Sequence, residues 1–310
     1  VVHPHLDLPV RSDARLGEVA WDLALVVGDE DLEPLPEDRE FRAALEVSGT
    51  QQEGPRARGV DLLDAEELRR LFEVHGPFTG VIHTAAYTAV DKAEEEEDKA
   101  LRINGEACGI LAQACADEGI PLVVVSTDFV FDGTSDRPYR EDHPVAPLSA
   151  YGRTKLAGER AALEAHPSGA KIVRTQWLYG PRGKHFPGTM LALAQERDEL
   201  KVVSDQIGAP TSTLELAPAL WDVLLHGEPG IYHASCEGSG SWYDFAVSVF
   251  EAREIDEIKV EPCSTEEFPR PAVRPAYSVL DCSKLTALRE KPLLDWREAL
   301  ETFLGGSHDS

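Results

Sequence analysis

The stretch Leu122-Val-Val-Val-Ser-Thr-Asp128 limits the possible folds of this chain more than any other. An unbroken apolar run, without alternation of period two, suits a strand covered on both faces, as in a parallel sheet. It ends in two small hydroxyls and a carboxylate. Downstream, Pro144 and Pro147 stop regular structure and Ser149 offers an N-cap. Tyr151-Gly-Arg-Thr-Lys155 then opens a helical pattern that Leu156, Ala157, Glu159, Ala161, Ala162 and Leu163 continue. Tyr151 and Lys155 are four apart, so they share one helix face. An ammonium beside a phenol favours the phenolate and lowers the phenol pKa toward neutrality. A phenol so tuned can exchange a proton with a substrate oxygen, and Thr127 at the strand end is placed to hydrogen-bond the same oxygen. A bare Tyr-x-x-x-Lys is a common helix-surface pattern; the strand some twenty residues upstream is what singles this one out.

The rest of the chain supports the same fold. Strands are expected at 23–28, 45–50, 81–86, 122–127 and 171–175, and helices at 37–45, 65–74, 99–118 and from 149. Strands alternating with helices predict an α/β fold with a doubly wound parallel sheet, Rossmann-like. Ligands of such sheets bind beyond the carboxyl ends of the strands, where Ala86 to Thr88, Ser126 to Asp128, and Trp177 with Tyr179 all fall. After residue 180 the alternation loosens, with helices at 189–197, 216–225 and 243–252, a strand at 200–203 and a loop at 205–213. The expected organisation is an N-terminal extension at 1–22, a dinucleotide-binding domain at 23–180 to which parts of 205–235 return, and a smaller lobe mainly over 181–310.

Composition excludes several classes. The net charge of −26, from 56 acidic and 30 basic residues, opposes binding to nucleic acid or an anionic membrane. It also opposes phosphorylated ligands, so local cations must overcome the global field. So acidic a surface with few lysines suggests a salty cytoplasm, where charges are screened. No apolar run is long enough to span a bilayer, and no charged-then-apolar leader opens the chain. Five cysteines without close pairing fit a reducing, cytoplasmic setting. The ten histidines form no metal-binding spacing, so no metal site is expected. The acidic run from Glu94 to Asp98 reads as a solvated helix start.

Longer blocks carry a resemblance. Ser126-Thr-Asp-Phe-Val-Phe-Asp-Gly-Thr134, Tyr139-Arg-Glu-Asp142 and Pro147-Leu-Ser-Ala-Tyr-Gly-Arg-Thr-Lys-Leu-Ala-Gly-Glu159 resemble the extended short-chain dehydrogenase/reductases and, more narrowly, the dTDP-4-dehydrorhamnose reductase family. Ala85-Ala-Tyr-Thr-Ala-Val-Asp-Lys-Ala-Glu94, Arg174-Thr-Gln-Trp-Leu-Tyr-Gly180, Asp205-Gln-Ile-Gly-Ala-Pro-Thr211 and Arg274-Pro-Ala-Tyr-Ser-Val-Leu-Asp281 agree, over about residues 44 to 300. The resemblance implies NADPH-dependent reduction of the C4 ketone of a nucleotide-linked 4-keto-6-deoxysugar, with Thr127, Tyr151 and Lys155 catalytic. It implies cofactor contacts from Asp61, Leu62, Ala86, Tyr87, Thr88, Val125, Tyr151 and Lys155. It implies substrate contacts from Thr127, Asp128, Trp177 and Arg274, the last near a diphosphate or in a contact between lobes. Asn104 matches a helix asparagine that positions water and backbone near the lysine. His185 stands where the family has asparagine, which leaves the sugar nucleotide open. A homodimer is compatible with all of this.

The resemblance breaks down in the first forty-odd residues. A dinucleotide fold has a glycine-rich turn after its first strand, so that the backbone can approach the pyrophosphate at a helix N-terminus. Here Gly28-Asp-Glu-Asp-Leu-Glu-Pro34 keeps only Gly28, with carboxylates in the turn. Arg11-Ser-Asp-Ala-Arg-Leu-Gly17 is the other placement, less suited by its spacing. Carboxylates facing a pyrophosphate at close range cost several kcal/mol in a low-dielectric site. Altered cofactor binding, a reductase-derived protein without turnover, and a damaged reading of the gene all fit this turn. Arg56 and Arg58 follow the second strand, where an arginine accepts a 2′-phosphate; this favours NADPH, with NADH as the alternative. A rival to the enzyme is a non-catalytic dinucleotide- or sugar-nucleotide-binding regulatory protein similar to the methionine adenosyltransferase beta subunit. An epimerase or dehydratase on the same fold is a third reading.

Overall fold

In the computed structural model, residues 24–28 and 61–305 are described. The expected helix at 37–45, the expected strand at 45–50, and Arg56 and Arg58 lie outside them. Five strands form the main sheet in the order β1 (Ala24–Gly28), β2 (Phe78–His83), β3 (Leu122–Thr127), β4 (Ala170–Thr175) and β9 (Gly230–His233). β2, β3, β4 and β9 run parallel. In β3 the run Leu122 to Val124 is almost without exposure, as its continuous apolarity requires. β1 departs from expectation. It pairs antiparallel with β2, and Gly28 lies opposite Phe78, the first residue of that strand.

One face of the sheet is covered by α1 (Ala65–His75), α4 (Ala107–Glu118) and α5 (Ala150–Ala165). Leu68, Phe72, Cys108, Leu111, Cys115 and Ala162 pack there on Val81, Leu122, Val124 and Ile172. The other face is covered by α7 (Thr213–His226), whose Leu216, Leu220, Val223 and Leu224 meet Ile82, Val123 and Val173. Helices on both faces are the doubly wound arrangement. Local signals set the helix starts. The Asp64 carboxylate accepts from the N–H groups of Glu66 and Glu67 ahead of α1, and the Ser149 hydroxyl accepts from Gly152 ahead of α5.

The helix expected at 99–118 is not continuous. α2 (Val90–Ala93) and α3 (Glu97–Leu101) lead into one wide π-type turn, Arg102–Glu106, before α4. Such turns push a residue out of helical register and are frequent at functional sites; this one contains Asn104. Two glycines let α5 close on its surroundings. A Cβ on Gly152 would strike the Phe129 carbonyl, and one on Gly158 would strike the Asn104 carbonyl.

Beyond β4, the short strands β5 (Leu178–Tyr179), β7 (Ile207–Gly208), β8 (Thr211–Ser212) and β10 (Gly240–Ser241) lie where a loop was expected or no element was. The parallel pair β6 (Glu199–Val203) and β11 (Lys259–Cys263) packs with α6 (Phe186–Ala194) and α8 (Trp242–Ala252). Phe186, Phe245, Trp296 and Phe303 make an aromatic core there, closed by α9 (Ser283–Arg289) and α10 (Trp296–Gly305).

Candidate active site

The carboxyl ends of β2, β3 and β4 lie along one edge of the parallel sheet, where the cleft of such a fold opens. From β3 come Ser126, Thr127 and Asp128, all buried. Ser126 stands in register with Arg174 and Thr127 with Thr175 on β4. From α5 come the half-buried Tyr151 and the buried Lys155. The Tyr151 ring meets Phe129 edge-on at 5.6 Å. The Thr127 hydroxyl lies near enough to this phenol to favour its ionised form, so the structure makes neighbours of the Thr127 and Tyr151 hydroxyls. Thr127 in turn donates to Asp128 Oδ1 at 3.0 Å.

The tuning of that phenol differs from expectation. Burial pushes Tyr151 up to about 12; the nearby Thr127 hydroxyl works against this and the Asp128 charge adds to it. The Lys155 ammonium is not among the groups that shift this phenol; its Nζ donates to the Val125 carbonyl at 2.7 Å. Burial lowers Lys155 from its ordinary value, while Cys108 and Glu159 hold it up. Asp128 is pushed up to about 6, again by burial, against the influence of the nearby Ser278 hydroxyl and the Thr127 hydrogen bond. Near Lys155, His83 at the end of β2 is buried and driven down to about 3 by burial and by the lysine charge. Its two ring nitrogens have no partner among the described residues.

The segment after β2 is held by Asn104. Its Oδ1 accepts from the Tyr87 N–H at 2.7 Å, and its Nδ2 donates to the Tyr87 carbonyl at 3.2 Å and to Thr154 Oγ1 at 3.1 Å. Asn104 therefore couples residues 86–88 to α5. Ala86 and Tyr87 are buried and Thr88 is exposed. The Tyr87 phenol turns to Glu96 at 3.0 Å. The acidic run is likewise more than a solvated helix start: Glu94 accepts from the Ala150 N–H, and Arg153 pairs with Glu97.

Other expected residues are dispersed. Asp61 is exposed and Leu62 packs on the core, both ahead of α1. Gly28 is not brought to the site. Because β1 runs antiparallel, Gly28 lies beside the start of β2, at the edge opposite the cleft. Arg274 commits both arms to Asp91 on α2, at 2.9 and 3.1 Å, and Arg270 pairs with the same carboxylate at 3.0 Å. Arg274 is thus a clasp between the 270–281 segment and α2, with its guanidinium engaged there rather than held out for a diphosphate. His185 caps α6, its Nδ1 accepting from the Gly188 N–H.

Trp177 occupies the left-handed region at φ 48°, a costly conformation for a bulky side chain. It is over-determined by its neighbours. Its carbonyl accepts from Thr211, and Gln176 Oε1 accepts from Ala209. Its indole stacks on Trp242 at 3.7 Å and 11°. Trp242, Ser278 and the buried Glu159–Arg174 pair were not anticipated as site residues. Only Glu159 carried a signal, standing four residues beyond Lys155 on the same helix stripe.

The comparisons agree with this geometry. The family model described as "RmlD substrate binding domain" matches residues 34–307. A dTDP-4-dehydrorhamnose reductase of Streptomyces griseus is 45% identical over 250 residues, covering 79% of this chain and 82% of that protein. The crystal structure of a dTDP-4-dehydrorhamnose reductase from Clostridium acetobutylicum is similar at 44% identity and a TM-score of 0.75, over 79% of this chain and 86% of that one. That of a Bacillus anthracis dTDP-4-dehydrorhamnose reductase in complex with NADP is similar at 38% identity and 0.76, over 80% and 87%. With a strand, a helix and a cleft of this kind in place, and with these matches over most of its length, the chain belongs to the dTDP-4-dehydrorhamnose reductase family, whose members are NAD(P)-dependent oxidoreductases.

Proposed function

We propose that the chain reduces the C4 ketone of a nucleotide-linked 4-keto-6-deoxysugar, dTDP-4-dehydrorhamnose to dTDP-L-rhamnose, with NADPH. One observation carries the reading: the Tyr151 phenol and the Thr127 hydroxyl meet beyond the end of β3, with Lys155 buried one turn along the same helix. The residues present suit the nicotinamide half of a dinucleotide. Residues 86–88 are fixed by Asn104 yet open at Thr88, and the Lys155 ammonium is held at the cleft by a single backbone carbonyl that a ribose hydroxyl can replace. Of the residues expected to hold the pyrophosphate and the 2′-phosphate, Gly28 lies beside the start of β2, and the others, 29–34 or 11–17 together with Arg56 and Arg58, lie outside the described part. The bound cofactor supplies the hydride.

Tyr151 gives its phenolic proton to the carbonyl oxygen as that oxygen gains negative charge. A phenol pushed up to about 12 is fully protonated at neutral pH, so the acid form is ready. Thr127 hydrogen-bonds the same oxygen. Lys155, when it swings from Val125 toward the phenol, stabilises the phenolate left behind. Asp128 lies where a sugar hydroxyl can be read, and Trp177 offers a flat apolar face to the sugar or base. In this reading residues 23–180, with parts of 205–235, hold the cofactor, and 181–310 mainly close over the substrate.

The test is NADPH oxidation by the full chain with dTDP-4-keto-6-deoxy-L-mannose. Turnover that disappears in Tyr151→Phe supports the reading; equal turnover in that variant overturns the role of the phenol. A second reading, a binding protein without turnover, is favoured by the antiparallel β1 that carries Gly28 away from the cleft. Titration with NADPH fluorescence separates them. No binding at millimolar NADPH overturns the reductase, while tight binding of NADPH with no oxidation favours the regulatory protein.

A further inference from the structure

Behind the cleft lies a buried cluster that the chemistry above does not use. Glu159 is one turn beyond Lys155 and two beyond Tyr151 on α5, so the three form one stripe of the helix. Its carboxylate takes a forked pair of bonds from Arg174, Nε to Oε1 at 2.9 Å and a terminal nitrogen to Oε2 at 2.7 Å. The Ser126 hydroxyl donates to Oε1 at 2.5 Å. Glu159 and Arg174 are each 2% exposed and Ser126 4%. The Arg174 guanidinium also lies over the Phe131 ring at 5.1 Å.

A buried ion pair is a poor route to stability. Its desolvation cost offsets most of its attraction, and apolar residues of similar volume often serve as well. What the fork does supply is geometry, because two parallel bonds fix direction as well as distance. Here the fork ties α5 to β4, and Ser126 ties it to β3, the residue before Thr127. The pair therefore sets the angle at which α5 presents Tyr151 to Thr127. Glu159 also faces a second buried cation: Lys155 is flanked by Cys108 from α4, His83 from β2 and Glu159 on its own helix, while Glu159 faces Arg174 from β4 and Tyr151 faces Asp128 from the end of β3.

We propose that Glu159 is a positioning residue for the reaction: it locks α5 onto the carboxyl ends of β3 and β4 and supplies the negative charge that balances the Lys155 ammonium. This rests on the reductase reading, and its test keeps the two apart. Two variants are made in the full chain. Glu159→Gln keeps the size and loses the charge. Glu159→Leu with Arg174→Met removes both charges and leaves neither unpaired. The negative charge favours the protonated form of Lys155, and the angle it gives α5 sets how closely Tyr151 meets Thr127 and Asp128. Its loss in Glu159→Gln moves the alkaline limb of the kcat profile to lower pH by about one unit. The double variant melts near the parent temperature, while kcat falls roughly tenfold with little change in KM, as loss of orientation rather than of binding predicts.

A second readout needs neither cofactor nor substrate: tyrosinate absorbance against pH, taken as the difference from the same chain carrying Tyr151→Phe, moves with Glu159→Gln. If the parent chain shows no turnover, the reductase reading fails, and the tyrosinate titration alone decides the role of Glu159. An unmoved titration, an unmoved kcat profile, or a double variant with parental kcat overturns the proposal. So does loss of folded protein in both variants, since the cluster is then needed for the fold alone.

Discussion

Two sides of the molecule are built on opposite principles. On the β3–α5 side, Asp128, Lys155, Glu159 and Arg174 are charged or titratable and almost without exposure. Each is held by hydrogen bonds of 3.0 Å or less. On the other side, Trp177, Trp242, Phe186 and Phe245 meet through their faces and edges, with centroids 3.7 to 6.2 Å apart. Hydrogen bonds between buried groups fix individual atoms, and they fail sharply with distance and angle. Aromatic contacts fix a plane but tolerate sliding within it. The first side therefore suits groups that exchange a proton. The second suits recognition of a ring.

The largest effect that can break this contrast is expected on the charged side. Tyr151→Phe should lower kcat by roughly 10²–10⁴, the range a general acid supplies, while leaving the melting temperature close to the parent value. Steady-state NADPH oxidation and calorimetry check it. On the aromatic side, Trp177→Ala should raise KM for the sugar nucleotide about tenfold, a typical loss for one stacked ring, and change kcat less. If Trp177→Ala lowers kcat as far as Tyr151→Phe does, the contrast is wrong.

Two buried histidines sharpen the comparison through pH. His83 and His233 are both driven down to about 3, mainly by burial. A depressed folded-state value means stability that is complete above the unfolded value near 6.5 and is lost as pH falls toward 3. At pH 5 each should cost roughly 2 kcal/mol by linkage, so the chain should melt lower at pH 5 than at pH 7. Asp128 carries the opposite sign. Its value is raised to about 6, so its contribution is complete below 3.8 and lost between there and 6. Replacing His83 by Gln should flatten the acid loss by one histidine's share, read from melting temperature against pH.

The smallest effect concerns the clasp. Asp91 accepts from Arg274, Arg270 and the Ala272 N–H, and Arg270 is half-exposed. Arg270→Ala should change stability by no more than about 1 kcal/mol, as partly solvated ion pairs do. Arg274→Ala should cost more than Arg270→Ala, because Arg274 is the more buried and makes three hydrogen bonds, two to Asp91 and one to the Ala272 carbonyl.

Much of this was legible because local rules and tertiary packing agree. The apolar run of β3 and the Ser149 cap of α5 are enough to place Thr127, Tyr151 and Lys155, and the strand and helix occur where the pattern puts them. What stayed hidden depends on long-range geometry. The wide turn at Asn104 interrupts an otherwise regular helical pattern, and its purpose emerges only from the grip of the asparagine on Tyr87, 17 residues away. Glu159 looks like any helix glutamate until Arg174 arrives from a neighbouring strand. Asp91 and Arg274 are 183 positions apart. The direction of β1 is set by pairing, about which a five-residue apolar run says nothing.

The parallel indoles of Trp177 and Trp242 have one practical consequence. Two such chromophores stacked 3.7 Å apart must couple their electronic transitions, so any in-plane twist between the two indoles gives the unlabelled protein an exciton couplet in its ultraviolet circular dichroism. The amplitude follows that twist. A sugar nucleotide that slides against one indole or parts the two is thereby visible as an optical signal, in real time and without a coupled assay.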